Sequence, residues 1–216
     1  MSGRNMVAVE SEFLLDGPQS PRLVLAHGAG APMDSEFMAR MAELLAERGV
    51  GVVRFEFPYM RERRESGKKR PPNRQPELLD CWRSVVESLG DCDRLFIGGK
   101  SMGGRMASLL IDELADELGV KGLVCLGYPF HPPGKPEKLR TEHLLDLKTR
   151  ALIVQGTRDS MGKRDEVGGY GLSSAIDVQW LEDGDHDLKP RVRSGFTHDQ
   201  HLESAADIVS RFVLST

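Results

Sequence analysis

A serine between glycines follows an apolar run in the middle of the chain. Residues 97–104 read IGGKSMGG, which places Ser101 at the centre of the pattern G-x-S-x-G. The apolar run precedes the motif directly, and a helical pattern follows it. In such a strand–turn–helix setting a serine can serve as a nucleophile, and flanking small residues let strand and helix pass closely. The alternative interpretation is an ordinary glycine-rich turn between a strand and a helix.

A serine hydroxyl needs a general base to act as a nucleophile near neutral pH. Among the six histidines, His186 lies in LEDGDHD, after the last predicted strand and before the last predicted helix. We predict that His186 is this base. His131, in the proline-rich stretch PFHPPGKPEK, is a candidate substrate-binding residue. His143 lies in a predicted helix, TEHLLDL, whereas solvated or capping roles are expected for His198 and His201.

The acid that orients the base is expected at the end of the preceding strand. Asp159 lies three residues beyond the apolar run ALIVQG, and the chain order Ser101, Asp159, His186 matches the order expected for such a triad. Asp159 would hold the imidazole tautomer and stabilise the imidazolium. Asp185 and Asp187 are alternatives, although side chains adjacent to a histidine on a loop rarely reach its ring nitrogen.

A tetrahedral intermediate also needs two backbone N–H donors. One is predicted to come from Met102, the residue after the nucleophile. The second is expected after the first strong strand, where LVLAHGAGAPMDS contains a short glycine-rich turn. Ala29 is our candidate, and His27 is interpreted as a residue that stabilises this turn.

A basic segment interrupts the alternation of strands and helices. Residues 61–74 contain seven arginines and lysines against two glutamates, and we interpret the segment as a loop after a strand. Arg63 and Arg64 are candidates for recognising an anionic substrate or partner, because arginine pairs well with carboxylates and phosphates. The alternative is a solvated surface loop. The segment is short and poor in aromatic residues, which does not favour nucleic-acid binding.

Short apolar runs and helical patterns alternate along the whole chain. Strands are predicted at 22–27, 49–57, 94–99, 122–128, 151–156 and 177–182, and helices at 38–45, 76–89, 106–118 and 197–213. Most runs are continuously apolar, as in strands covered on both faces by helices. Thr197 and Gln200 predict a capping box at the start of the last helix. The pattern predicts an α/β fold: a three-layer sandwich with a mostly parallel open sheet and helices on both faces.

The composition limits the broad class. A chain of 216 residues with net charge -4, 39% apolar and 29% charged residues predicts one well-solvated domain over residues 1–216. No apolar run approaches the roughly 18 residues that cross a bilayer, and the first residues lack the apolar stretch of a signal peptide. Three cysteines without metal-ligand spacing suggest reduced thiols in a cytoplasmic protein.

The segments LAHGAGAPMDS, IGGKSMGG, VQGTRD and DGDHD together resemble the α/β-hydrolase superfamily over about residues 20–215. The chain looks most like its small, dienelactone-hydrolase-like members without a cap domain, and like a bacterial branch whose distant eukaryotic relatives include a chromatin-complex subunit. The resemblance implies a nucleophile, acid, base and two oxyanion donors at Ser101, Asp159, His186, Ala29 and Met102. Dienelactone hydrolases use cysteine, so serine argues against that activity. The superfamily commonly begins with two antiparallel strands, for which VAVESEF and LLDG are weak candidates.

Two function classes follow from these residues. The first is a serine hydrolase that cleaves a small acyl ester or thioester through an acyl-enzyme. The alternative is a catalytically silent hydrolase-fold scaffold or interaction protein, against which the complete and ordered triad argues. No cofactor is expected, and no metal, because His198, His201 and nearby carboxylates lack coherent ligand spacing. The expected partner is a small-molecule acyl substrate, with no membrane, and nucleic-acid binding is not favoured.

Overall fold

One twisted sheet forms the centre of the molecule. A computed structural model describes residues 13–90 and 92–215. The strands are β1 (Phe13–Asp16), β2 (Arg22–Ala26), β3 (Gly51–Phe55), β4 (Leu95–Lys100), β5 (Leu123–Leu126), β6 (Ala151–Gly156) and β7 (Ile176–Leu181). Their order across the sheet is β1-β3-β2-β4-β5-β6-β7. β1 runs antiparallel to β3, and the other neighbouring strands are parallel.

Helices cover both faces of this sheet. They are α1 (Glu36–Glu47), α2 (Pro58–Ser66), α3 (Gln75–Ser88), α4 (Met102–Ser108), α5 (Ile111–Leu118), α6 (Arg164–Val167) and α7 (His198–Leu214). Along β2, Leu23 and Leu25 pack in one core cluster with α1 and α7, whereas Val24 and Ala26 pack in the other with α3, α4 and α5. Successive side chains of a strand point to opposite faces. The predicted three-layer sandwich is therefore confirmed.

The six predicted strands all form, each within two residues of the expected ends. β1 covers most of the LLDG segment and supplies an antiparallel first strand. Residues 7–12, which hold nearly all of VAVESEF, lie outside the described residues. The capping box of α7 is confirmed, because Thr197 Oγ1 accepts from the Gln200 N–H while the Gln200 side chain accepts from the Thr197 N–H.

Three local predictions were wrong. The single helix expected at 106–118 is two helices, and at the break the hydroxyl of Ser108 donates to the carbonyl of Arg105 (2.7 Å) and contacts His143. His143 itself lies in a 3-10 turn, Glu142–Leu144. The segment interpreted as a basic loop begins within helix α2 (Pro58–Ser66), which starts at a proline and is followed by Gly67 in a left-handed conformation (φ 66°).

No cap domain is inserted between β5 and β6. Residues 127–150, between β5 and β6, contain the short 3-10 turn as their only helical element. Within residues 13–90 and 92–215, no helix has the length and apolar character required to cross a bilayer.

Candidate active site

Ser101 occupies the turn between β4 and α4, at the carboxyl edge of the parallel strands. Its backbone has φ 51° and ψ −115°, a conformation that residues other than glycine rarely adopt. Such strain costs on the order of 1–3 kcal/mol and persists only where the surroundings enforce it. Here the N–H of Ser101 donates to the Leu126 carbonyl on β5 (3.0 Å), which anchors the strained turn.

Two glycines let β4 and α4 approach each other at this turn. A Cβ on Gly104 would lie 2.6 Å from the backbone oxygen of Gly99, and one on Gly99 would lie 2.7 Å from the backbone nitrogen of Gly104. A carbon atom cannot come that close to a backbone atom without displacing it. The close passage that the motif predicted is confirmed.

The turn brings Ser101 together with His186 and Asp159. His186 Nε2 lies 2.8 Å from Ser101 Oγ, and His186 Nδ1 lies 2.7 Å from Asp159 Oδ2. A carboxylate only accepts hydrogen bonds, so the network assigns the ring hydrogen to Nδ1 and leaves Nε2 to accept from the serine hydroxyl. An imidazole in this position can take the hydroxyl proton. The catalytic roles of the three residues remain predictions.

Asp159 is fully buried, and each of its oxygens has a donor. Oδ1 accepts from the Met161 N–H (2.8 Å), and Oδ2 accepts from Gln155 Nε2 (2.8 Å) as well as from His186. Gln155 is itself fixed, because its Oε1 accepts from the Tyr128 N–H (2.7 Å). Sequence reasoning missed Gln155, although an amide inside the apolar run ALIVQG was a visible signal.

A second residue that the sequence reasoning missed, Lys100, holds the loop that carries His186. Its Nζ donates to the backbone oxygen of His186 (2.8 Å) and pairs with Asp187 (3.1 Å). Burial lowers the pKa of the Lys100 ammonium, while Asp187 opposes that shift.

Asp185 accepts from the N–H groups of Asp187 and Lys189 (both 2.9 Å). Neither alternative acid therefore takes the place of Asp159 at the imidazole ring.

Two more histidines support the same loop from α7. His198 Nε2 lies 2.9 Å from the Asp187 oxygen, and the buried His201 Nδ1 lies 2.8 Å from the Leu188 oxygen. Both rings therefore engage backbone carbonyls that follow His186. For the buried His201 the expected solvated or capping role is wrong, since its ring holds the backbone of that loop instead.

The turn after β2 is fixed by His27 and by Tyr59 of α2. His27 Nδ1 donates to the Gly28 oxygen (2.7 Å), and His27 Nε2 accepts from the Phe57 N–H (3.1 Å). Burial lowers the pKa of His27, which favours this neutral ring. The Tyr59 hydroxyl donates to the Ala29 oxygen (3.0 Å). His27 thus stabilises the turn, as predicted.

These contacts also orient the two candidate oxyanion donors. In a planar trans peptide, the N–H points opposite to the carbonyl. Because the Gly28 oxygen faces His27, the N–H of Ala29 on the same peptide points away from that ring. Met102 is the first residue of α4, and the first N–H groups of a helix have no acceptor within it. Both N–H groups stay candidates for stabilising an oxyanion.

The candidate anion-binding arginines of the basic segment lie on α2. Arg64 pairs with Glu56 (2.6 Å) and with Asp34 (2.8 Å), and Arg63 donates to the Gly30 oxygen (3.3 Å). Both side chains thus connect α2 to the residues that follow β2. Two carboxylates already balance the charge of Arg64. A contact of either arginine with an anionic substrate stays a prediction.

His131 lies beneath the proline-rich loop and is 2% exposed. Its Nδ1 donates to the Pro132 oxygen (2.9 Å), and its Nε2 lies 3.4 Å from Glu166 on α6. These contacts join the loop to α6. A role in substrate binding, which we predicted for this residue, is untested by this placement.

A second serine–histidine contact lies behind α4. Ser108 Oγ lies 2.8 Å from His143 Nε2, and the Tyr128 hydroxyl is 3.4 Å from the same nitrogen. Ser108 is buried, and its hydroxyl donates to the Arg105 oxygen. In the described part of the chain, no carboxylate accepts from the ring of His143. By contrast, the Ser101–His186 pair opens into a surface cavity and has an acid, Asp159, that orients the histidine ring.

Ser101 and His186 open into a cavity of about 340 Å³, whose wall includes Gly28, Ala29, Phe37, Lys100, Met161 and Asp187. A larger depression, about 550 Å³, lies between β1, α2 and α3, and none of the predicted site residues lines it. Size therefore does not identify the reactive site, whereas the hydrogen-bonded groups do. Across residues 13–90 and 92–215, no three histidine, cysteine or acidic side chains form a group suited to a metal ion.

Comparisons with known proteins agree with this architecture. The family model of the alpha/beta hydrolase domain matches residues 19–214. The fold is similar to a dienelactone hydrolase from Anabaena variabilis (18% identity, TM-score 0.69, 94% of this chain and 90% of that chain covered). It is also similar to Est1E from Butyrivibrio proteoclasticus (16% identity, TM-score 0.67, 94% of this chain and 93% of that chain covered). A serine hydrolase without a lid from Xanthomonas campestris is similar as well (17% identity, TM-score 0.63, 94% of this chain and 90% of that chain covered).

Proposed function

From the premise that this chain belongs to the alpha/beta hydrolase family, we propose that it is a serine hydrolase of small acyl esters or thioesters. The observation that carries the proposal is the continuous hydrogen-bonded path from Ser101 through His186 to the buried Asp159. The similarity of this chain to a lidless serine hydrolase and to an esterase domain from Rhodothermus marinus is consistent with this class.

The first half of the reaction makes an acyl-enzyme. Ser101 Oγ attacks the carbonyl carbon while its proton moves to His186 Nε2. The oxyanion that forms accepts hydrogen bonds from the N–H groups of Ala29 and Met102. When the intermediate collapses, the bond to the leaving oxygen or sulfur breaks, and the proton on His186 passes to that atom. Asp159 stabilises the imidazolium throughout and keeps its own charge.

Water completes the cycle. It attacks the acyl carbon, gives one proton to His186 Nε2 and forms a second tetrahedral intermediate. Collapse of that intermediate releases the carboxylic acid and returns the proton to Ser101 Oγ. One water molecule is consumed for each ester or thioester bond cleaved.

The size of the site favours a small acyl group. The cavity of about 340 Å³ lies at the lower end of the range of small-ligand pockets, roughly 300–1,000 Å³. Without a cap, the chain has little surface with which to enclose a long acyl tail or a peptide. We therefore favour short-chain esters and thioesters over lipids and proteins.

A fluorophosphonate probe tests the nucleophile directly. We expect the wild-type protein to be labelled, Ser101→Ala to be unlabelled, and Ser108→Ala to be labelled as wild type. Labelling should be accompanied by hydrolysis of p-nitrophenyl acetate and of short acyl thioesters. If the folded wild-type protein is neither labelled nor active on these substrates, a scaffold role replaces the enzyme proposal.

A further inference from the structure

Two arginines near α4, outside the wall of the cavity that Ser101 lines, lack acidic partners among the described residues. Arg105 lies on α4 one turn beyond the serine, and its N–H donates to the Ser101 oxygen (3.0 Å). Side chains on a helix lean toward its N-terminus, so that of Arg105 extends toward the turn that carries Ser101. Arg140 follows the proline-rich loop and is half-buried. In the described part of the chain, neither guanidinium has a carboxylate within salt-bridge distance.

The hydrogen bonds of Arg105 are incomplete. A guanidinium has five N–H donors. The Nη2 of Arg105 donates to the Gln75 side chain at 3.3 Å, and its Nε is buried without an acceptor among the described residues. Gln75 is the first residue of α3, so the guanidinium contacts the N-terminal end of that helix. This end carries partial positive charge and therefore does not balance the cation.

A rigid network holds the backbones of the two arginines near each other. The Tyr128 hydroxyl donates to the Arg140 oxygen (3.0 Å) and lies 3.4 Å from His143 Nε2. His143 contacts Ser108, whose hydroxyl donates to the Arg105 oxygen (2.7 Å). Burial, together with the positive charge of Arg105, lowers the pKa of Arg140. The fold therefore brings two like charges into a partly desolvated region.

Several other arginines of the chain have carboxylate partners, whereas Arg94, whose Nε is also buried without an acceptor among the described residues, donates to backbone oxygens. Arg54, nearly buried, pairs with Asp16 (2.9 Å), Arg64 pairs with two carboxylates, and Arg191 pairs with Asp183. A guanidinium removed from water normally acquires such a partner, because the unpaired charge is expensive. The missing partner of Arg105 and Arg140 is then expected to be an anion from outside the chain.

We propose that Arg105 and Arg140 form a subsite beside Ser101 that binds a carboxylate or phosphate group of the substrate. This proposal rests on the proposed hydrolase function for its substrate, but the anion-binding subsite itself can be tested without turnover. Paired N–H donors suit both oxyanions. The substrate would then be a small ester or thioester that carries one anionic group in addition to the bond that is cleaved.

Binding to the full-length Ser101→Ala protein tests the subsite in the absence of catalysis. Titration calorimetry with inorganic phosphate and with glutarate should give saturable binding to at least one of them. Adding Arg105→Gln or Arg140→Gln should weaken that binding about 10- to 100-fold, the value of a lost charged hydrogen bond. Adding Arg22→Gln removes the same charge from the start of β2, at the opposite edge of the sheet, and should change nothing.

Kinetics with matched esters show which group is recognised. The anionic ester mono-p-nitrophenyl glutarate is compared with the neutral p-nitrophenyl pentanoate. The anionic esters 4-acetoxyphenyl phosphate and 4-acetoxybenzoate are compared with the neutral 4-acetoxybenzamide. We expect an anionic ester to exceed its neutral counterpart in kcat/KM by at least tenfold, and Arg105→Gln and Arg140→Gln to abolish that preference.

The outcomes separate the two proposals. Anion binding that depends on both arginines, in a protein that hydrolyses none of the esters, would support the subsite and remove the hydrolase proposal. Serine-dependent hydrolysis with no anion binding, or with binding that persists in folded Arg105→Gln and Arg140→Gln variants, would overturn the subsite alone. Circular dichroism spectra of each variant verify the fold, and Arg140→Gln, on a loop, provides a test that does not perturb α4.

Discussion

Replacing Lys100 with methionine should separate catalysis from stability. The lysine Nζ donates to the backbone oxygen of His186 at 2.8 Å, and methionine keeps the length of the side chain without the donor. Loss of a hydrogen bond from a charged group costs about 1.5–3 kcal/mol. This loss is opposed by a gain, because burying the Lys100 ammonium destabilises the folded protein, as its lowered pKa indicates. We expect the free energy of unfolding to change by less than about 1 kcal/mol.

Activity should fall much further than stability. Without the Nζ bond, the loop that carries His186 loses its contact with the end of β4, and the distance from His186 Nε2 to Ser101 Oγ is free to lengthen from 2.8 Å. A misplacement of about 1 Å can reduce a rate 100-fold. We expect kcat/KM for p-nitrophenyl acetate to fall about 30-fold, equivalent to about 2 kcal/mol. The loss should appear in kcat, because Lys100 is not expected to hold this neutral ester.

Two matched variants make the test specific. Lys189→Met changes an exposed lysine in the same loop and should leave kcat within twofold of wild type. Asp187→Asn removes the ion pair but retains the bond from Nζ to the His186 oxygen, so its loss should stay below about fivefold. A folded Lys100→Met protein with wild-type kcat would refute the idea that this bond positions the base.

Three further perturbations test other parts of the structure. Asp159→Asn should favour the wrong tautomer of His186 and reduce kcat by about 10⁴, measured with p-nitrophenyl acetate; a loss below tenfold would contradict the assigned role. Gly127→Ala should lower the free energy of unfolding, measured in urea, by about 1–3 kcal/mol more than Gly134→Ala does. Both glycines have positive φ, but only a Cβ at Gly127 would clash, because it would lie 2.5 Å from the His186 oxygen. Burial and the charge of Arg105 lower the pKa of His143 from 6.5 to about 4. Between these pH values the unfolded state binds more protons than the folded state, so the free energy of unfolding should fall as the pH drops from about 6.5 to about 4. His143→Gln should reduce that fall by about 1 kcal/mol, after allowance for its partial exposure; an unchanged pH dependence of chemical unfolding would exclude this contribution.

The sheet was predictable because its strands are continuously apolar and separated by helical patterns. Helix α2 was missed because its residues are almost all charged or polar, although Pro58 and Gly67 were available as boundary signals. The break between α4 and α5 was not predictable from spacing, since Met106, Leu110 and Leu114 keep one apolar face across it. A tertiary contact of Ser108 accompanies the break, and single-sequence periodicity contains no information about such contacts.

The chemistry-bearing residues of the site were easier to place than the residues that support them. Ser101, Asp159 and His186 each follow a recognisable strand, and the ends of parallel strands meet at one sheet edge. Lys100 bonds to a carbonyl 86 positions away, and Tyr59 to one 30 positions away. Backbone carbonyls have no side-chain signature, so no pattern of residue types predicts which one a lysine or tyrosine will meet.

The placement of positive charge suggests how the site can be both stable and selective for an anion. Lys100 and Arg64 hold their loops through Asp187 and through Glu56 and Asp34, so their charges are balanced within the protein. Arg105 and Arg140 have no such partners among the described residues, and in our proposal an anion of the substrate balances them. A substrate that supplies it would relieve an existing electrostatic cost while its carbonyl lies near Ser101. Selectivity of this kind needs no cap, because the charges that select the substrate are fixed by α4 and by the Tyr128 network.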